Sequence, residues 1–109
     1  MQRVAFQLRV KADRVADYDA AHRAVWPEML TELTRFGVRE YSIFRRGQDL
    51  FLTLRVADFD RLLRQLAGSE VNRRWQQAMA PLFEPVPGIR PDEPFAMMNE
   101  IFYLRGGDE

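Results

Sequence analysis

Residues 38–57 read VREYSIFRRGQDLFLTLRVA. Two runs rich in β-branched and aromatic residues, Val38 to Arg46 and Asp49 to Ala57, flank Gly47 and Gln48. Such runs joined by two turn residues predict a β-hairpin. On the N-terminal side, Val4, Phe6, Leu8 and Val10 alternate with Ala5, Gln7 and Arg9, the period of a half-buried strand. Between that strand and the hairpin lie two helical pieces. Asp13 is placed to cap the first, in which Val15, Tyr18 and His22 share a face. Pro27 lacks an N–H and disfavours a helical residue before it, so a break is expected near Trp26. Pro27 and Glu28 suit a new helix start, with Met29, Leu30, Leu33 and Phe36 as its apolar stripe and Gly37 as its end.

After the hairpin, Asp58 or Asp60 can cap a helix carrying Leu62, Leu63 and Leu66. Gly68 interrupts it, and Ser69 starts another with Val71, Trp75 and Met79 at helical spacing, ending near Pro81. Residues 84–94, EPVPGIRPDEP, read as a loop. A final strand is predicted from Phe95 to Leu104, apolar on both faces and therefore in need of cover on both. The order β-α-β-β-α-β is the ferredoxin-like split βαβ arrangement, an α+β fold with an antiparallel sheet and helices on one face. The open face predicts a sheet-to-sheet homodimer. Residues 1–104 form one domain and 105–109 a flexible tail.

Composition removes whole classes of function. Sixteen basic and sixteen acidic residues cancel, which argues against a nucleic-acid partner. With no cysteine, disulfides, thiolate catalysis and thiolate metal sites are out. No 18-residue apolar run or signal-like core occurs, so no membrane association and a cytoplasmic protein are expected. There is no Gly-rich phosphate loop and no nucleophile elbow. No ligand spacing surrounds the single histidine, so no metal is expected.

That histidine sits in YDAAHRAVWPEM, residues 18–29. His22 is the one side chain with an unperturbed pKa suited to proton exchange near neutral pH. Tyr18 lies one helical turn before it. Tyr41 can join it from the hairpin, and Trp75 can supply a flat apolar wall of the kind small-molecule sites use. The residues alone leave a second reading open, in which His22 and the aromatics serve packing only.

The chain resembles the L-rhamnose mutarotases. RVAF at 3–6, Y-x-x-x-H-x-x-x-W-P-E at 18–28, YSIF at 41–44, RWQQAM at 74–79 and NEIFYL at 99–104 carry the likeness over nearly the whole length. The resemblance implies homodimers of ferredoxin-like units that interconvert the α and β anomers of a free deoxysugar without a cofactor. It maps the acid to His22 and substrate-binding tyrosines to Tyr18 and Tyr41. The family pattern often has two adjacent tryptophans in the later helix; here Trp75 is followed by Gln76. L-rhamnose is the expected substrate; an amide in place of an indole favours hydrogen bonding over stacking, which makes L-fucose the alternative. Mutarotation needs one proton delivered to the ring oxygen and one taken from the anomeric hydroxyl. His22 is assigned to the first; Tyr18 or a bound water handles the second. The competing readings are a dimeric α/β-barrel monooxygenase holding haem through a helical histidine, and a sugar-binding module without catalysis.

Overall fold

The computed structural model describes residues 1–107. Strand β1 spans Gln2–Val10, helix α1 Val15–Arg23, helix α2 Pro27–Arg35, strand β2 Val38–Arg46 and strand β3 Asp49–Val56. Helix α3 spans Phe59–Ala67, helix α4 Glu70–Met79, and two short strands follow, β4 at Phe83–Glu84 and β5 at Ala96–Met98. The sheet is antiparallel in the order β2-β3-β1-β4, and β5 also pairs with β1. Both β4 and β5 occupy the β1 edge that β3 leaves free, one at Arg9–Val10 and the other at Ala5–Gln7. This is the expected ferredoxin-like arrangement with its last strand divided.

Local chemistry explains the boundaries. Gly47 takes φ +60° at the hairpin, and Gly37 takes φ +100° just past α2, both in the left-handed region that glycine enters without penalty. Asp58 caps α3 by accepting from the Arg61 N–H, and Ser69 caps α4 by accepting from the Asn72 N–H. Pro27 opens α2 as its first residue. Asp13 does not cap α1. It lies in a 3-10 turn, Ala12–Arg14, and the residue before the helix is Arg14, without a side-chain cap.

One sheet face carries Phe6 and Val10 of β1 and Leu50, Leu52, Leu54 and Val56 of β3, all buried. The helices add Tyr18, Leu62 and Met79 to the same cluster. Burying a Leu such as Leu62 contributes about 1.5–3 kcal/mol relative to exposure. The other face is uncovered by helices: Thr53 and Arg55 of β3 are exposed there, with Phe44 of β2 61% exposed.

The last strand departs from its prediction. Only Ala96–Met98 pairs, whereas residues 99–104 lie outside the ladder and are exposed. Side chains hold this stretch instead. Arg3 donates from Nε and Nη2 to the two carboxylate oxygens of Glu100, 2.8 Å each, and its guanidinium lies 3.3 Å over the Tyr103 ring. Ile101, Phe102 and Leu104 stay 96%, 79% and 74% exposed. A segment apolar on both faces needs cover on both, and within one chain it receives neither. Of the predicted tail, 105–107 are exposed without regular structure, and 108–109 lie outside the described residues. Among the described residues no helix is long and apolar enough to cross a membrane.

Candidate active site

Helix α1 presents Tyr18 and His22 one turn apart. Tyr18 is buried and its ring stacks on the imidazole, with centroids 4.0 Å apart and planes 27° apart. His22 Nδ1 lies 2.9 Å from the Tyr18 backbone oxygen. A carbonyl only accepts, so Nδ1 carries the hydrogen and donates. That leaves Nε2 as the nitrogen free to exchange a proton, acceptor in the neutral ring and donor in the imidazolium.

Helix α4 closes the other side. The Trp75 ring meets the imidazole edge-on, 5.5 Å and 82°, and Trp26 meets Trp75 in turn, 5.1 Å and 87°. Trp26 stands at the break between α1 and α2, where Pro27 begins the second helix. The imidazole is thus clamped between a phenol face and an indole, and the indole is buttressed by a second one.

Tyr41 reaches the site through a defect in the hairpin. Val38 pairs with Val56, but Glu40 pairs with Arg55, so Arg39 is an extra residue in β2. A bulge of one residue reverses the alternation. Val38, Tyr41 and Ile43 therefore all face the helices, opposite the buried Val56, Leu54 and Leu52. Without the bulge Val38 and Tyr41 would face opposite ways.

The result is a cleft of about 550 Å³ between α2, α4 and β2, bordered by His22, Tyr41, Asn72, Trp75 and Gln76. This is within the roughly 300–1,000 Å³ usual for small-molecule sites. A smaller chamber of about 140 Å³ shares His22, Tyr41, Trp75 and Gln76 with this cleft and is bordered by Tyr18 as well. All five residues singled out from the sequence converge on that chamber. Sequence reasoning missed Asn72, whose only signal was its place one turn before Gln76. A separate depression of about 400 Å³ lies on the uncovered sheet face and is bordered by Arg3, Glu40, Arg55 and Glu100, with no histidine or tyrosine.

The two phenols are electrostatically matched. Burial, then the neighbouring Tyr41 and Asp19, raise the Tyr18 pKa far above its ordinary value. Tyr41 is 39% exposed as a residue, yet burial of its phenol end pushes its pKa up to about 12. A phenol is already neutral at physiological pH, and burial takes both further from ionisation, so both are donors. Among the described residues no three histidine, cysteine, aspartate or glutamate side chains cluster as a metal site would need.

Behind the imidazole, Arg45 of β2 donates to both oxygens of Asp19 at 2.8 and 2.6 Å, tying α1 to the hairpin. Those hydrogen bonds hold the Asp19 carboxyl below its ordinary value of 3.8. The sign follows: a group with a depressed folded pKa contributes stability above the unfolded pKa and loses it as pH falls through the folded one. Asp19→Asn should melt below wild type near neutral pH, by a small margin because solvent screens the pair. The two melting curves should converge as the pH drops below the ordinary carboxylate range. A gap that persists in acid would mean that the ion pair is not its source.

A family model described as L-rhamnose mutarotase matches residues 3–104. The chain is similar to the L-rhamnose mutarotase of Bacillus subtilis (strain 168), 35% identical over 107 residues covering 95% of this chain and 99% of that one. It is similar to the L-rhamnose mutarotase of Shouchella clausii (strain KSM-K16), 37% identical with the same shares covered. The crystal structure of an L-rhamnose mutarotase from Formosa agariphila superposes with a TM-score of 0.75 at 28% identity, covering 96% of this chain and 100% of that chain. Tetracenomycin F2 cyclase from Streptomyces glaucescens, with a TM-score of 0.63 at 22% identity over 98% and 99% of the two chains, shares the fold alone.

Proposed function

The chain belongs to the L-rhamnose mutarotase family, and from that premise we propose that His22, Tyr18, Tyr41, Trp75 and Gln76 bind L-rhamnose and exchange its α and β anomers. The enzyme is an isomerase of the mutarotase type. The observation that carries the site assignment is the convergence of all five side chains on one chamber, with His22 Nε2 left free by the bond that Nδ1 makes.

The reaction follows from these positions. The imidazolium Nε2 delivers its proton to the ring oxygen as the C1–O5 bond opens, and the anomeric hydroxyl gives up its proton as C1 becomes a carbonyl. After rotation about C1–C2, the ring oxygen attacks either face of the aldehyde and returns its proton to Nε2. A positioned acid–base group of this kind is worth roughly 10²- to 10⁴-fold. Tyr18 and Tyr41, as neutral phenols, donate to sugar hydroxyls. A neutral phenol takes a proton only as it passes its own on, so Tyr18 acts at the anomeric hydroxyl as a relay, directly or through a water: it passes that proton out to solvent as the ring opens and brings one back to the carbonyl oxygen as the ring closes. Trp75 offers its face to the C–H side of the ring. The steps call for no redox centre and no covalent intermediate.

Saturation-transfer NMR on a panel of deoxysugars tests this reading. Exchange between the L-rhamnose anomers should be faster with protein than without. Sugar binding with unchanged exchange would instead identify a binding module. A homodimer and cytoplasmic residence complete the proposal. The first is supported by the apolar residues 101–104 and the uncovered sheet face, the second by a chain without cysteine.

Gln76 sets the choice between sugars. Both Trp75 and Gln76 border the chamber although successive helical residues point about 100° apart, so the cavity wraps around that turn of α4. Gln76→Trp removes a hydrogen-bonding partner and adds apolar surface. A hydroxyl left unpaired costs on the order of 1–3 kcal/mol. The ratio of exchange rates should therefore move toward L-rhamnose and away from L-fucose. An unchanged ratio would leave Gln76 outside the recognition of the sugar.

A further inference from the structure

The α4 rim of the cleft carries two amides, Asn72 and Gln76, one helical turn apart, and their hydrogen bonds have a direction. It starts at the C-terminal end of α3. The backbone carbonyl of Leu66 receives a hydrogen bond from Asn72 Nδ2 at 3.1 Å. A carbonyl cannot donate, so this contact decides which end of the Asn72 amide is nitrogen. The opposite end, Oδ1, accepts from Gln76 Nε2 at 3.3 Å. Gln76 is thereby oriented in turn: its nitrogen faces Asn72, and its Oε1 is the end turned away from that partner. The backbone at Asn72 is anchored as well. Its N–H donates to the Ser69 hydroxyl at 3.1 Å, and that hydroxyl donates to Glu32 Oε1 of α2 at 2.9 Å. The direction of the Gln76 amide is thus set, through Asn72, by one backbone carbonyl of α3, while the Ser69–Glu32 contact anchors the start of α4 on α2.

We propose that Asn72 is a positioning residue for substrate recognition: it holds the Gln76 amide so that Oε1 is offered at the cleft as an acceptor for a sugar hydroxyl. The inference rests on the reading of the cleft as the sugar site. A glutamine without this tether samples both amide orientations and presents an acceptor only part of the time. Fixing it lowers the cost of ordering the side chain when sugar binds. Asn72 touches the sugar only through Gln76, so its loss weakens binding and leaves the proton chemistry at His22 alone.

The test uses the full chain with L-rhamnose and two readouts: anomer exchange against sugar concentration, and sugar affinity by calorimetry. Asn72→Ala removes the tether while keeping a good helix former. It should raise the half-saturating sugar concentration by about 2- to 10-fold, with the rate at saturation unchanged. Asn72→Asp loses the donor to Leu66 but keeps oxygens that accept from Gln76 Nε2. It should recover much of that loss of affinity. In a Gln76→Ala background, Asn72→Ala should add nothing. A purely structural role predicts otherwise: Asn72→Ala and Asn72→Asp would weaken binding alike, or Asn72→Ala would have its full effect without Gln76. Either result overturns the proposal. Failure of the mutarotase reading has a different signature, wild-type protein that does not speed exchange, and calorimetry on the same variants then still decides the role of Asn72.

Discussion

His22→Ala slows anomer exchange by about 10²-fold or more and leaves the fold intact. The rate loss is the low end for removing a positioned acid–base group. Nothing nearby substitutes for it. Tyr18 and Tyr41 are neutral phenols that burial makes still harder to ionise, and Asp19 is committed to Arg45 through both oxygens. The structural cost is modest. His22 is half-buried and lies outside the main core cluster. Its removal takes one hydrogen bond from the Tyr18 carbonyl and the ring contacts to Tyr18 and Trp75. The net loss of such a bond is about 0.5–1.5 kcal/mol. Circular dichroism and melting establish that the variant is folded; saturation transfer reads the exchange. A folded variant exchanging L-rhamnose at the wild-type rate would remove His22 from the chemistry.

Much of this molecule is legible locally. Gly47 at the hairpin, Asp58 and Ser69 as caps and Pro27 at a helix start all act within one turn of their own positions, so the sequence declares them. The helical spacing that groups Tyr18 with His22 is equally local. What stays hidden is set by partners distant in the chain. The bulge at Arg39 has no residue signature; VREYSIF read with strict alternation puts Val38 and Tyr41 on opposite faces. Only the register against β3, with Val38 on Val56 and Tyr41 on Leu54, brings both to the helices. Asp13 fails as a cap because the chain first makes a 3-10 turn on leaving β1. The site was readable as a set of residues but not as an arrangement. That Nδ1 of His22 is the occupied nitrogen, and that Asn72 orients Gln76, depend on carbonyl positions that composition does not reveal.

Residues 95–104 divide into two functions that truncation should separate. Phe95 packs on Phe6 with ring centroids 4.8 Å apart, and Ala96–Met98 pairs with the outer edge of β1. Removing 95–104 strips that edge and an aromatic from the core. Phe95 is only half-buried, so its own loss costs less than the about 3–5 kcal/mol of a fully buried Phe; together with the lost pairing along β1 it still takes a large part of the roughly 5–15 kcal/mol that holds a domain together. The chain should fail to fold, and the dimer should go with it. Ending the chain after Met98 is a different experiment. The residues then lost include Ile101, Phe102 and Leu104, which are mostly exposed within one chain. Their contribution to the single-chain core is small, so the shortened protein should keep its helical and strand signal. Their contribution to association is large by the same measure. Four consecutive large apolar residues, with Met98 and Phe44 exposed on the uncovered sheet face, are apolar surface of the kind that marks an interaction site. A second copy meeting that face through its own sheet covers both sets at once, since a two-fold contact presents the same surface from each side. Sedimentation of the full chain at low micromolar concentration should therefore give a dimer, and the chain ending at Met98 a folded monomer. A full-length protein that sediments as a stable monomer under those conditions would rule the dimer out.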